Sequence, residues 1–332
     1  MKVLVAGASG AIGRQLVPAL SAAGHEVVGL ARSTSATATL AVDALDRDAL
    51  VAAVRGVAPD AVVNMLTAIP ARLNPRRMPV EFALTNRLRT EGTRNLLAAA
   101  AQSGARRIIA QGVAFAYEPG DGPADEEAPL WARPPAPFAS SVAALRELEA
   151  MTTRAGGTVL RLGHLYGPGT MFAADGSFVD DVRARKVPIA GAGASVFSFV
   201  HVADVATAVV AALSHDVSGV LNVVDDDPTP IRDWLPEMAE ALGAPRPRRL
   251  PLALVRLAAG AWGAAYLGGL RGAHNTRARL VLGWRPRHRS WRADYAPRIR
   301  RPRGVIPPRY AGRRRRDSSR GEAPWLRRRW AR

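Results

Sequence analysis

The feature that most constrains this chain is a set of three glycines at residues 7, 10 and 13, set between an apolar run and an amphipathic one. Lys2-Val3-Leu4-Val5-Ala6 has the unbroken apolar, β-branched character of a strand buried on both faces. Residues Ala11–Ala23 then show helical spacing, with Pro18 expected to bend the helix or lie on its exposed side. In such a strand–turn–helix unit one glycine permits the tight turn, one lets a phosphate approach the backbone, and one lets helix and strand pack closely. The helix start adds free N–H groups and the positive end of a dipole. Gly7, Ser9, Gly10, Ala11, Ile12 and Gly13 are therefore predicted to cradle the pyrophosphate of a dinucleotide.

The alternation continues. Strands are expected at Val27–Leu30, Thr39–Val42, Ala61–Met65, Arg107–Ala110, Thr158–Leu162, Phe197–His201 and Val220–Val224. Helices are expected at Asp48–Arg55, Asn86–Ser103, Ser141–Arg154 and Ala203–Leu213, and a surface loop at Pro119–Pro137. The pattern predicts an α/β fold, a doubly wound parallel Rossmann sheet, with a small C-terminal cap domain. The expected division is a dinucleotide-binding domain over 1–165, completed by 196–225, and a substrate or cap domain from 166–195 and 226–296.

The net charge of +18 resembles a nucleic-acid signature until it is located. Residues 298–332 hold fourteen arginines against Asp317 and Glu322, a net of +12, so the body carries only +6. Residues 297–332 are aperiodic and Pro-containing, and read as a disordered basic tail with no specific nucleic-acid partner. Trp325, Leu326 and Trp330 leave contact with an acidic surface open. Cysteine is absent, which excludes thiolate chemistry and disulfides, and the scattered histidines lack metal-ligand spacing. The stretch Leu252–Leu270 is apolar but interrupted by Arg256, and is read as a buried or interfacial helix rather than a membrane span. With no secretory h-region at the start, a cytoplasmic location is expected.

Strand two runs into Arg32-Ser33-Thr34, where an NAD-preferring site would place a carboxylate for the ribose hydroxyls. A guanidinium there pairs with a 2′-phosphate, so Arg32 and Ser33 predict NADP(H), with NAD(H) as the second choice. Asp43 is a candidate acceptor for the adenine amino group, and Leu66 and Thr67, after the fourth strand, complete the expected lining.

Further segments carry a family likeness: Gly92-Thr93-Arg94-Asn95-Leu96-Leu97, Arg161-Leu162-Gly163-His164-Leu165-Tyr166-Gly167-Pro168, Phe199-Val200-His201-Val202-Ala203-Asp204 and Leu282-Gly283-Trp284-Arg285-Pro286. Together with the glycine loop, and in this order, they resemble the extended short-chain dehydrogenase/reductases, the branch of nucleotide-sugar epimerases, dehydratases and reductases. The resemblance implies a nicotinamide dinucleotide, a small polar metabolite or nucleotide sugar as substrate, and a Tyr-x-x-x-Lys pair for proton transfer. A homodimer is left open.

The pair is missing. The only lysines are Lys2 and Lys186, and none of the five tyrosines has lysine four residues on. Where the pair should fall the sequence reads Phe138-Ala139-Ser140-Ser141-Val142, strand five ends Gln111-Gly112-Val113 without a hydroxyl, and Arg89 stands at the family's helix asparagine, with Asn86 one turn earlier. Two substitutes are expected at the mouth of the site: Tyr117, past strand five, and His164, past strand six, whose unperturbed pKa near 6.5 suits proton transfer. His201 and Asp204 are expected to stitch strand to helix. The chain is thus either an NADP(H)-dependent oxidoreductase or epimerase with substitute groups, or a non-catalytic NADP(H)-binding regulatory or scaffold protein.

Overall fold

Seven parallel strands make the central sheet of the computed structural model, which describes residues 1–299. They are β1 Lys2–Ala6, β2 Glu26–Ala31, β3 Leu40–Ala41, β4 Ala61–Asn64, β5 Arg107–Val113, β6 Thr158–Leu162 and β7 Gly219–Val223. Their order across the sheet is β7-β6-β5-β4-β1-β2-β3. Because β1 pairs with β2 on one side and β4 on the other, with Leu4 opposite both Val28 and Val62, the winding direction reverses there. That reversal opens a crevice at the carboxyl ends of the strands.

Both faces are covered, which is why the strands read as continuous apolar runs rather than alternating ones. Val3 and Val5 face a layer containing helix α1 (Ala11–Ala22), which contributes Leu16 and Leu20, and a later helix, Val202–Ser214. Leu4 faces the other layer, where helix α2 (Arg47–Val57) and helix α3 (Thr93–Ser103) bring Leu50, Val54 and Leu96. Pro18 is exposed and α1 continues through it. A separate aromatic cluster around Phe172, Phe197, Trp234 and Trp291 gathers side chains from the later segments, and both regions pack within one compact unit.

Several elements differ from the sequence reading. Helix 86–103 is three pieces: Ala83–Arg87, one π-helical turn at Leu88–Gly92, and α3. The strand expected at Phe197–His201 is broken at Ser198, whose hydroxyl is occupied by the Ala273 backbone, donating to its oxygen at 2.7 Å and accepting from its nitrogen at 2.8 Å. The loop 119–137 is not all surface, since Leu130 and Trp131 are buried and helix α4 begins within it (Ala136–Arg154). Leu252–Gly268 is helical but kinked at Gly260, which takes φ 77°. No helix among the described residues is long and apolar enough to cross a membrane. The helix Arg292–Ile299 extends into the segment expected to be disordered from 297; residues 300–332 of that tail lie outside the described residues.

The C-terminal Leu-Gly-Trp motif closes the fold against the helix Val202–Ser214. Trp284 is buried and donates its indole N–H to Thr207 Oγ1 at 2.9 Å. Asp204, fully buried, accepts the backbone N–H groups of Arg287 and His288, each at 2.9 Å. Since charge-assisted bonds contribute about 1.5–3 kcal/mol each, Asp204→Ala should lower unfolding free energy by about 2–4 kcal/mol in urea titrations. A loss below about 0.5 kcal/mol would show that water replaces the carboxylate without cost.

Candidate functional site

The glycine loop is held by its neighbours before any ligand is considered. Gly7 N and Ala8 N both donate to Leu30 O at the end of β2, and Gly7 adopts φ +88°. A Cβ on Gly7 would lie 2.6 Å from Met65 O, and one on Gly13 would overlap the carbonyl oxygens of Gly7 and Ala8. These two glycines permit close backbone packing. Gly10 differs: its φ is an ordinary −72°, and the sole atom near an added Cβ is Gly7 O at 3.3 Å. It faces open space at the start of α1, where no side chain caps the helix. The free N–H groups of Ala11, Ile12 and Gly13 and the bare loop backbone fit a pyrophosphate.

From the loop a cleft runs along the ends of β1, β2 and β4, lined by Gly7, Ser9, Gly10, Arg32, Asp43, Leu66 and Thr67. The structure thus brings most of the predicted binding residues into one crevice. Arg32 is exposed at the β2 end and has no carboxylate partner among the described residues; Ser33 is exposed beside it. Asp43 is tied down by accepting Leu45 N at 2.9 Å. Sequence reading missed Leu84 and Leu88, which form the far wall, because helical spacing does not reveal which face meets the crevice. It also missed Thr37, whose hydroxyl donates to Ala8 O at 2.8 Å and joins the loop after β2 to the glycine turn.

Beyond β4 and β5 the surroundings become apolar. Phe138 is buried and stacks on Trp262 with ring centroids 3.8 Å apart; Val142, one turn on, is fully buried, and Val113 joins the same cluster. The two expected substitute acids are placed differently from the sequence expectation. Tyr117 points away from the mouth: its phenol is buried, donates to Asn222 Oδ1 at 2.6 Å, and has the Arg161 guanidinium over its ring at 4.8 Å. Burial raises its pKa despite that cation. Arg161 itself forms a two-pronged ion pair with Glu149, at 2.8 and 2.7 Å. His164 is also buried, stacked between Phe115 (4.7 Å) and Phe197 (4.3 Å), with Nδ1 at 3.2 Å from Ser198 O. Desolvation pushes its pKa down to about 3. Both rings are buried by their surroundings, His164 among aromatic side chains and Tyr117 among small apolar residues, Asn222 and Arg161.

His201 and Asp204 join neighbouring segments as expected. His201 Nδ1 accepts Ala203 N at 3.2 Å to cap the helix, and its ring stacks on His288 at 3.8 Å.

The family model described as the NAD dependent epimerase/dehydratase family matches residues 3–224. The chain belongs to this family. A Streptomyces sp. protein named 3-diazoavenalumate denitrifying reductase is 48% identical over 300 residues, covering 88% of this chain and 98% of the relative. The human epimerase family protein SDR39U1, solved with NADPH, superposes with TM-score 0.69 at 24% identity, over 90% of this chain and 99% of that one. The UDP-glucose 4-epimerase of Thermus thermophilus, solved with NAD, gives TM-score 0.63 at 25% identity, over 86% and 94%. A nicotinamide dinucleotide is therefore the cofactor that the family supports for this chain.

The two kinds of glycine in the loop should respond differently to substitution. Gly10→Val should fold nearly normally and lose dinucleotide binding, whereas Gly13→Ala should lose stability, because its Cβ would overlap two carbonyl oxygens while that of Gly10 only approaches one at 3.3 Å. Calorimetry and thermal melts separate the two; undiminished affinity in Gly10→Val would place the pyrophosphate elsewhere. A second prediction concerns pH. His164 binds a proton in the unfolded chain below about pH 6.5 but, when folded, only near pH 3, so its contribution to stability is intact above 6.5 and is lost as pH falls. His164→Phe should flatten the fall in Tm between pH 6.5 and 4. It should not abolish it, since burial also lowers the pKa of His201. An unchanged slope would mean that His164 already titrates normally in the fold.

Proposed function

We propose that this chain is an NADPH-dependent reductase that removes the nitrogen of a diazo-bearing carboxylate, without the proton-transferring pair of its family. The observation that carries the reading is the packing of Phe138 and Val142 against Trp262, where a phenol and an ammonium would otherwise stand. A carbonyl that accepts hydride becomes an alkoxide and needs an acid beside it. When bound, NADPH supplies a hydride, and a diazonium group accepting it leaves as N2 (R–N2⁺ + NADPH → R–H + N2 + NADP⁺), with no oxyanion to protonate. An apolar wall is then no defect. It excludes water from a reactive electrophile, and no acid needs to be placed beside the reacting atoms.

The relative named for this activity is 48% identical across nearly its whole length, which supports the substrate class. The remaining residues have binding roles. Gly7, Ser9, Gly10, Ala11, Ile12 and Gly13 receive the pyrophosphate, Asp43, Leu66 and Thr67 border the adenosine side, and Arg32 with Ser33 meets the 2′-phosphate. Arg32 suits NADPH because its guanidinium is free of carboxylates among the described residues and sits at the end of β2.

Incubation with 3-diazoavenalumate and NADPH should release one N2 per NADPH oxidised. Arg32→Ala should weaken NADPH roughly ten- to hundredfold, the worth of one charge-assisted bond, and leave NADH nearly unchanged. A folded protein that binds NADPH but oxidises none with the diazo compound would instead be the cofactor-binding regulatory protein. Equal losses for both cofactors would make Arg32 a solvated strand-end charge.

A further inference from the structure

The helix Leu252–Gly268 turns an apolar face outward before its kink at Gly260. Leu252 is 48% exposed, Leu254 50% and Leu257 73%, with Ala253 and Ala258 exposed among them. Val255 is the buried residue of this stretch, and Ala253 and Leu257, each two residues or about 200° of helical turn away, lie on the opposite side. A surface helix ordinarily does the reverse, burying its leucines and wetting its charges. The kink separates the two behaviours, since beyond it Trp262, Ala264 and Leu267 are buried. The exposed half is held at both ends: Leu250 pairs with Ala190 just before it, and the Arg76 side chain donates to Leu257 O.

The charge beside that face has one sign. Residues 241–293 hold eleven arginines and no aspartate or glutamate. Arg246, Arg248 and Arg249 lead into the helix, Arg256 stands within its exposed half, and Arg76 and Arg77 lie in the loop that touches it; all six are exposed and form no ion pair among the described residues. The acids that meet the same loop, Asp180 and Asp181, are already taken by Arg72 and Arg183. Exposed leucines beside unpaired guanidinium groups match the headgroup layer of an anionic bilayer, where leucines enter the acyl boundary and arginines stay with the phosphates. A second copy of the chain would bring like charges together with no acid to meet them. The exposed half also lacks the aromatic anchors that concentrate binding energy in protein interfaces.

We propose that this face docks the protein on anionic lipid surfaces as a peripheral contact that does not span the membrane. Leu254 and Leu257 insert at the headgroup boundary, and the neighbouring arginines bind the lipid phosphates. The docking depends neither on the dinucleotide reading of the crevice nor on the diazo substrate.

The test is sedimentation of the full chain with vesicles of equimolar phosphatidylcholine and phosphatidylglycerol, and with vesicles of phosphatidylcholine alone. The chain should bind the first and hardly the second. Leu254→Ser with Leu257→Ser keeps every charge, including the fourteen arginines of residues 298–332, and should weaken vesicle binding about tenfold or more. Arg248→Gln with Arg249→Gln should weaken it about tenfold. Thermal melts should be unchanged in both variants, because the altered side chains are exposed. Since the chain has no cysteine, Leu257→Cys can carry a single polarity-sensitive dye, whose emission should shift to the blue on the anionic vesicles. Binding that survives the paired serine substitutions, or that leaves the dye in water, would mean that charge elsewhere in the chain holds the vesicles, and would overturn the proposal. Equal binding to neutral vesicles would overturn it too. A wild-type chain that ignores anionic vesicles would leave the face to a protein partner, and a lipid-free dimer that the serine substitutions dissolve would assign it to a second copy; either result sinks the lipid assignment.

Discussion

Close backbone contact at the glycine turn is the constraint on which the crevice depends. Gly13 brings α1 against the carbonyls of Gly7 and Ala8, Gly7 lies against Met65 at the end of β4, and Gly29 in β2 leaves room for the Thr37 backbone. These contacts lock β1, α1, β2 and β4 together at the point where the sheet reverses its winding. They also leave the loop N–H groups and the uncapped helix start facing outward. A side chain at Gly7 or Gly13 would push those elements apart, so the packing of the sheet end depends on these missing Cβ atoms.

Past β5 the structure is built on a different principle. Around Phe138, Trp262, Phe115 and His164 the chain has replaced titratable groups by stacked rings, and the one histidine present is too desolvated to hold a proton near neutrality. Charge enters the crevice from Arg32, exposed at the end of β2. In the proposed reductase such surroundings would receive an anionic cofactor and keep water from the substrate with little acid or base chemistry. That balance suits transfer of hydride to a group that departs as a neutral gas.

The legible parts of the sequence were those governed by local rules. The strand–glycine–helix order, the period of α2, and the apolar runs of β4 and β6 each follow from propensity and burial within a few residues, and the observed elements fall where those rules put them. Long-range demands were not legible. The break at Ser198 exists because its hydroxyl is engaged by Ala273, seventy-five residues away, and the kink at Gly260 occurs where the helix passes Arg76. The π-helical turn likewise has no signature in the spacing of residues 86–103.

For the site, the sequence alone determined the glycine turn between strand and helix, the basic residue at the end of β2, and the lack of a Tyr-x-x-x-Lys pair, since each depends on residue identity at a fixed local spacing. Only the tertiary structure decided what Tyr117 and His164 do. Both follow a strand end, as catalytic groups would, yet Tyr117 turns toward Asn222 and His164 lies between two phenylalanines. Which way a side chain faces after a strand is set by the loops and rings packed over it, drawn from segments far along the chain, and so is the pKa that decides whether it can move a proton.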